Sequence, residues 1–242
     1  MNMQSVAGSS KVLGALVFVA LVAASFTNTS RARQPVPDPR VDMPLASAHS
    51  KQTAVFAGGC FWGIEAVFEH IRGVQDASSG YAGGSAATAN YDTVSGGQSG
   101  HAESVKVVFD PAMVSYGQLL KVFFSVAHDP TQLNRQSPDH GPQYRSALFY
   151  TDAGQQRIAQ AYIRQMAAAK VFGKQPIVTQ VVPLKAFYPA ERHHQDFARL
   201  NPSYPYIVIY DAPKVVRLKQ RFPALYRDSW APGLAVAAKP AR

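Results

Sequence analysis

Apolar and polar positions divide the chain into three stretches. The first is an uninterrupted apolar run, Val12 to Phe26 (VLGALVFVALVAASF), in a segment with no charge between Lys11 and Arg31. A weakly positive start, an apolar centre and the small residues Val22 and Ala24 have the form of a secretory signal over residues 1–26. An uncleaved N-terminal anchor is the alternative, since 19 uncharged residues approach the ~20 that span a bilayer. Either way the expectation is an exported protein, periplasmic or secreted. Residues 27–50 (TNTSRARQPVPDPRVDMPLASAHS) keep no period and read as a linker. From Lys51 onward periods of two and of three to four alternate. Thr53–Ala57 (TAVFA), Glu103–Asp110 (ESVKVVFD), Arg145–Tyr150 (RSALFY) and Ile177–Val182 (IVTQVV) read as strands. Phe61–Ile71 places Trp62, Ala66, Val67 and Ile71 at helical intervals. Ser115 can cap a helix to about His128 with Leu119, Leu120, Phe123 and Val126 inward. Residues 154–172 read as a helix, and Pro189–Leu200 as a short one with Pro189 in its first turn. Strands and helices are interspersed without a repeat, which predicts a mixed α and β domain with a few-stranded sheet covered by helices.

Composition narrows this picture. With 242 residues, 47% hydrophobic and 16% charged, the chain has room for one packed domain of 51–211 plus tails, and is neither disordered nor collagen-like. The net charge of +9 invites a nucleic-acid reading, but residues 212–242 hold seven positive side chains against Asp228 alone. That leaves +3 for everything else, and a basic C-terminal tail without zinc-finger spacing or an aromatic RNA-binding motif reads as a solvated segment; no nucleic-acid partner is expected.

There is one cysteine, Cys60. It excludes an intramolecular disulfide, a Cys-x-x-Cys redox pair and any multi-thiolate metal site. It sits where the strand TAVFA gives way, after Gly58-Gly59, to the helix starting at Phe61. At a helix N-terminus free N–H groups and the macrodipole favour a thiolate and lower its pKa, and a thiolate is a nucleophile. A lone cysteine is otherwise a small buried hydrophobe. The two aromatics Phe61 and Trp62 beside it suit a small apolar substrate group. His193 and His194 are adjacent and diverge on a helix, so no metal-ligand set forms, and the Gly pairs at 83–84 and 96–97 lack a phosphate-loop context; no metal and no cofactor are expected.

Five blocks carry a family resemblance: AGGCFWGIEAVF around Cys60, GYAGG at 80–84, YDTVSGGQSGHAESVKVVFDP at 91–111, HDPTQLNRQSPDHGPQYRSALFY at 128–150 and FYPAERHHQDF at 187–197. In this order and spacing, over about residues 52–205, the chain resembles the A-type peptide methionine-S-sulfoxide reductases. The resemblance implies an α+β fold, a two-layer α/β sandwich around a mixed sheet with a ferredoxin-like core and extended loops. It implies thiol-dependent reduction of methionine-S-sulfoxide, free or in proteins, in protein repair. Cys60 matches the family's nucleophile, left as a sulfenic acid as methionine departs. Glu103 matches the acid that protonates the sulfoxide oxygen, Tyr91 and Tyr144 two tyrosines bonding that oxygen and the acid, Phe61 and Trp62 the pocket for the S-methyl group, and Asp139 a rim residue holding substrate through its N–H. His194 falls in the family's HQ motif, in a supporting role.

One departure concerns turnover. Many members carry resolving cysteines, often in a C-terminal tail; here none follows Ala212, and Ser95 stands where one often occurs. The expected reductant is therefore external: glutathione, or a thioredoxin-like or glutaredoxin-like protein. A monomer is expected. The rival reading is a cysteine hydrolase pairing Cys60 with His101, His128 or His194.

Overall fold

A computed structural model describes residues 35–229; the apolar run at 12–26 and the expected signal, anchor and first linker residues lie outside the described residues. In chain order the elements are β1 (Gln52–Ala57), α1 (Phe61–Glu69), β2 (Val74–Ala82), α2 (Tyr91–Ser95), β3 (Ala102–Phe109), α3 (Tyr116–Val122), β4 (Arg135–Gln136), β5 (Asp139–His140), β6 (Ala147–Tyr150), α4 (Ala153–Ala168), β7 (Gln180–Pro183), β8 (Phe187–Pro189), α5 (Phe197–Leu200) and α6 (Ala212–Arg221). Single π-helical turns follow α3 at Phe123–Ala127 and precede α6 at Ile207–Asp211.

Six strands form one sheet in the order β7-β6-β1-β3-β2-β8, antiparallel except for the β6/β7 pair. Within it β1-α1-β2-β3-α3-β6 is the ferredoxin-like unit, its strands ordered β6-β1-β3-β2. Period two explains why β1 is apolar throughout. Ala54 and Phe56 face the main core with Ile64, Val67 and Phe68 of α1 and Leu119, Leu120 and Phe123 from α3 and its π turn. Val55 and Ala57 face the other way into a smaller cluster with Ala82, Ala102, Ala147 and Phe149, closed by Val182, Leu184 and Phe187. The Ser115 cap is a full capping box, its hydroxyl accepting from the Gln118 N–H while the Gln118 side chain accepts from the Ser115 N–H.

Three expectations change. Pro189–Leu200 is not one helix: Pro189 ends β8, Asp196 takes a left-handed φ of 55°, and the Gln195 side chain bonds both the N–H and the carbonyl of Ser79, tying the segment to β2. Residues 35–50 are no free linker but a belt across α3 and α4. Val36 is in the core, the Tyr162 hydroxyl donates to the Pro37 carbonyl at 2.6 Å, and Asp42 accepts from Ser115 and from the Gly117 N–H. Nor are residues 212–229 a solvated tail. Leu218 of α6 is fully buried, Phe222 packs on the core, Tyr226 bridges to Ile71, and the Arg227 guanidinium donates to the carbonyls of Glu69 and Val74. Among the described residues no helix is long and apolar enough to cross a membrane.

Candidate active site

Cys60 is the N-cap residue of α1, part-exposed, with no capping hydrogen bond from its side chain. The chain reaches it through Gly59, whose φ of +102° is open to glycine and whose Cα lies so close to Gln136 that a Cβ would sit 2.6 Å from its side chain. Gln136 in turn fixes the loop opposite, accepting from the Asp129 N–H at 3.0 Å and donating to its carbonyl.

Glu103, on β3 opposite Tyr81, is 2% exposed. Its Oε2 accepts the N–H of Phe61, the residue after Cys60, at 3.1 Å. Burial, then the charges of Asp139 and Asp211, push its pKa up to about 8, against the pull of that single N–H. The carboxyl therefore holds its proton near neutrality. The Cys60 thiol moves in the same direction and contrary to the sequence expectation. Burial first, then Glu103 and Asp211, raise it well above its ordinary value, outweighing the lowering influence of the Trp62 N–H and the Lys214 ammonium. A helix N-terminus alone does not make a thiolate where burial and two acidic groups oppose it.

Tyr91 and Tyr144 lie in the same field. Both phenols are raised, by burial and then by Glu103, so both remain hydrogen-bond donors. The Tyr91 N–H donates to Glu191 at 2.9 Å, and the other oxygen of Glu191 accepts the Tyr81 hydroxyl at 2.7 Å. Phe61 is 1% exposed and belongs to the core, its ring 6.0 Å from Tyr81 and 5.2 Å from His194. Trp62 is half-buried, stacked on Phe197 at 3.8 Å and met edge-on by Tyr204 and Tyr206. His194 is buried against Phe61, Trp62 and Tyr91, and neither ring nitrogen has a partner among the described residues; burial lowers its pKa, keeping it neutral. Asp139, on β5, accepts the Tyr206 hydroxyl.

Sequence reasoning missed the contribution of the C-terminal residues. Tyr206, Asp211 and Lys214 close the site: Asp211 is fully buried, paired with Lys214 at 3.0 Å, and rests on α1 so closely that a Cβ on Gly63 would meet its Oδ1 at 2.0 Å. The glycine after Cys60-Phe61-Trp62 is thus explained by a carboxylate from far along the chain. No local signal points to it beyond the i, i+3 spacing of Asp211 and Lys214. Beside Cys60 opens a cavity of about 360 Å³, lined among others by Asp139, Tyr206, Tyr210, Lys214 and Arg217.

Two of the three histidines of the hydrolase reading are engaged with other groups. His128 lines the cavity, but its Nδ1 donates to the Phe123 carbonyl and its Nε2 pairs with the Ser146 hydroxyl at 2.8 Å. His101 accepts from the Gly84 N–H and donates to the Ser85 carbonyl. The titratable group that acts most strongly on the thiol is Glu103.

Comparison with known proteins points the same way. Residues 52–225 match the family described as peptide methionine sulfoxide reductase. The chain is similar to peptide methionine sulfoxide reductase MsrA 2 of Synechocystis sp., 55% identical over 189 residues, covering 77% of this chain and 88% of the relative. It is likewise similar to MsrA 2 of Mesorhizobium japonicum, 56% identical over 186 residues and covering 77% and 95%. Among solved structures, Mxr1 of Saccharomyces cerevisiae in its reduced form superposes with a TM-score of 0.57 at 30% identity, covering 68% of this chain and 92% of that one. Methionine sulfoxide reductase A of Corynebacterium diphtheriae does so with 0.55 at 35%, covering 63% and 76%.

Proposed function

This chain belongs to the peptide methionine sulfoxide reductase family, an oxidoreductase family, and on that premise we propose that it reduces methionine-S-sulfoxide through a sulfenic acid on Cys60. The observation that carries the reading is the buried Glu103 carboxyl, protonated near neutrality and bonded to the N–H next to Cys60. Attack on a sulfoxide is slow until its oxygen takes a proton. Glu103 gives that proton as Sγ bonds to the substrate sulfur, and the thiol proton returns to Glu103. The Sγ–S and S–O bonds to the substrate sulfur then break as the protonated oxygen passes to Sγ, so methionine leaves reduced by two electrons and Cys60 is oxidised by two to the sulfenic acid. The Tyr91 and Tyr144 phenols hold the sulfoxide oxygen and the carboxyl. The Trp62 face takes the methyl group, with Phe61 fixing its base and Asp139 at the rim. His194, buried against their rings, supports Phe61, Trp62 and Tyr91.

The chain's single cysteine leaves the sulfenic acid to an external thiol. Export rests on the apolar run at 12–26, and cell fractionation with N-terminal sequencing tests it: a start near residue 27 would mark a cleaved signal, an intact chain in the membrane an anchor, and an intact chain in the soluble cytoplasmic fraction would rule export out. The cycle is tested with separated sulfoxide diastereomers. Without reductant the parent should release about one methionine per chain from the S form alone, with a dimedone-trappable Cys60. Cys60→Ser should release none. Turnover of the R form, or methionine release with the thiol unmodified, would overturn the scheme.

A further inference from the structure

We infer that the cavity between Cys60 and α6 seats the regenerating reductant, and that this reductant is a small thiol bearing carboxylates. The inference rests on the sulfenic acid cycle above and names its second substrate. At about 360 Å³ the cavity is of a size that takes a small ligand, and Cys60 forms part of its wall. Its charges are unevenly placed. Lys214, Arg217 and Arg221 all come from α6, whereas the carboxylates Asp129 and Asp139 come from the stretch around β4 and β5. Both carboxylates are occupied: Asp139 accepts the Tyr206 hydroxyl, and Asp129 accepts the N–H and hydroxyl of Thr131. Lys214 is committed to Asp211.

Two guanidinium groups remain. Arg217 is half-buried and has no ion pair among the described residues, and Arg221, one turn on, donates to the Ser125 carbonyl at 3.2 Å. Like charges at this spacing repel, and partial burial adds to the cost of holding Arg217. The oxidised methionine side chain is neutral and gives them no counter-charge. A carboxylated thiol does: its carboxylates pair with the fork of Arg217 and with Arg221, and the same two cations favour its thiolate beside Cys60. The thiolate attacks the sulfenic sulfur, and the departing hydroxide takes up a proton, giving the mixed disulfide Cys60–S–S–R and water. A second thiol attacks the R-side sulfur, releasing the disulfide R–S–S–R and Cys60 as thiolate, which a proton restores.

The test separates this step from the first. The sulfenic acid is formed with one equivalent of substrate and then mixed with glutathione, which carries two carboxylates, or with neutral 2-mercaptoethanol or cationic cysteamine, each compared per thiolate. In the parent, glutathione should react fastest and lose its advantage at high salt. The double variant Arg217→Ala, Arg221→Ala should slow glutathione about tenfold or more while 2-mercaptoethanol is unchanged. Arg217→Lys, which keeps charge and aliphatic stem but loses the fork, should fall between the parent and the double variant and so guards against a folding defect. Equal loss with both thiols, no loss with glutathione, a Lys variant as slow as the double Ala, or reduction only by a protein thiol would overturn the site. A parent whose Cys60 never becomes dimedone-reactive would instead overturn the cycle beneath it.

Discussion

Two carboxyl groups flank Cys60, and the protein treats them in opposite ways. Glu103 and Asp211 are both almost wholly buried, at 2% and 1% exposed, and burial raises both. Glu103 is given a single N–H and no cation, so it keeps a proton up to about pH 8. Asp211 is given an ammonium, Lys214 at 3.0 Å, which opposes part of the rise that burial causes. One group is thereby a protonated carboxyl beside the thiol, the proton source that the proposed reaction needs. The other is a fixed pair that seats α6 against α1 at Gly63. The difference lies in what a buried acid is given as a partner, because the desolvation cost is common to both.

The comparison breaks most visibly at Glu103. Glu103→Gln keeps the shape and the bond from the Phe61 N–H but has no acid to give, so the first methionine release should slow by about 10²–10⁴-fold, read by single-turnover quench. Asp211→Asn should leave that step on the parent's order of magnitude. Equal losses would mean that the two acids share the proton and that the contrast is false. The reverse experiment is Lys214→Met, which strips Asp211 of its cation. Removing one partner of a buried pair costs about 3 kcal/mol at neutral pH. Because Asp211 then has a folded pKa far above its unfolded value, the folded state binds the extra proton and the deficit should shrink as pH falls. Urea denaturation of parent and variant at several pH values would show it; a deficit independent of pH would mean that Asp211 stays ionised without Lys214.

How much of this was open to reading depended on where each residue's partners lie. The β1-Cys60-α1 junction, β3, the Ser115-capped helix and α4 carry their own periods, and the thiol and its acid stand in motif blocks. β2 (VQDASSGYA) has no such period, since its buried positions include Ser78 and Ser79; it is a strand because it pairs along β3 and because the Ser79 N–H is met by Glu65 and Gln195. The belt at 35–50 is held by contacts scattered over residues such as Val36, Pro37, Asp38 and Asp42, which leave no repeat. α6 looked like a charged tail because only a narrow side of it, Val215 and Leu218, faces inward. Tyr206, Asp211 and Lys214 reach Cys60 only through the return of the chain, and nothing near them in sequence says where it returns.

The same contrast recurs further along α1, where Glu65 and Glu69 are each 1% exposed. Glu65 accepts the N–H groups of Ser79 and Asp196 and is raised to about 8. Glu69 has an oxygen with no partner among the described residues, and burial, then Glu65, raise it to about 10. At neutral pH it is a proton carrier like Glu103 but with no thiol to serve. Between its unfolded value of about 4.5 and its folded value of about 10 the native state binds the extra proton, so the group costs stability increasingly as pH rises through that window. Glu69→Gln, neutral in both states, should therefore stabilise the fold by on the order of 2 kcal/mol near pH 7. That gain should vanish near pH 4, where the parent's carboxyl is protonated folded or unfolded. Urea midpoints at the two pH values decide it: a gain of the same size at both would place its origin in packing, and a loss at pH 7 would mean that Glu69 is ionised and paired.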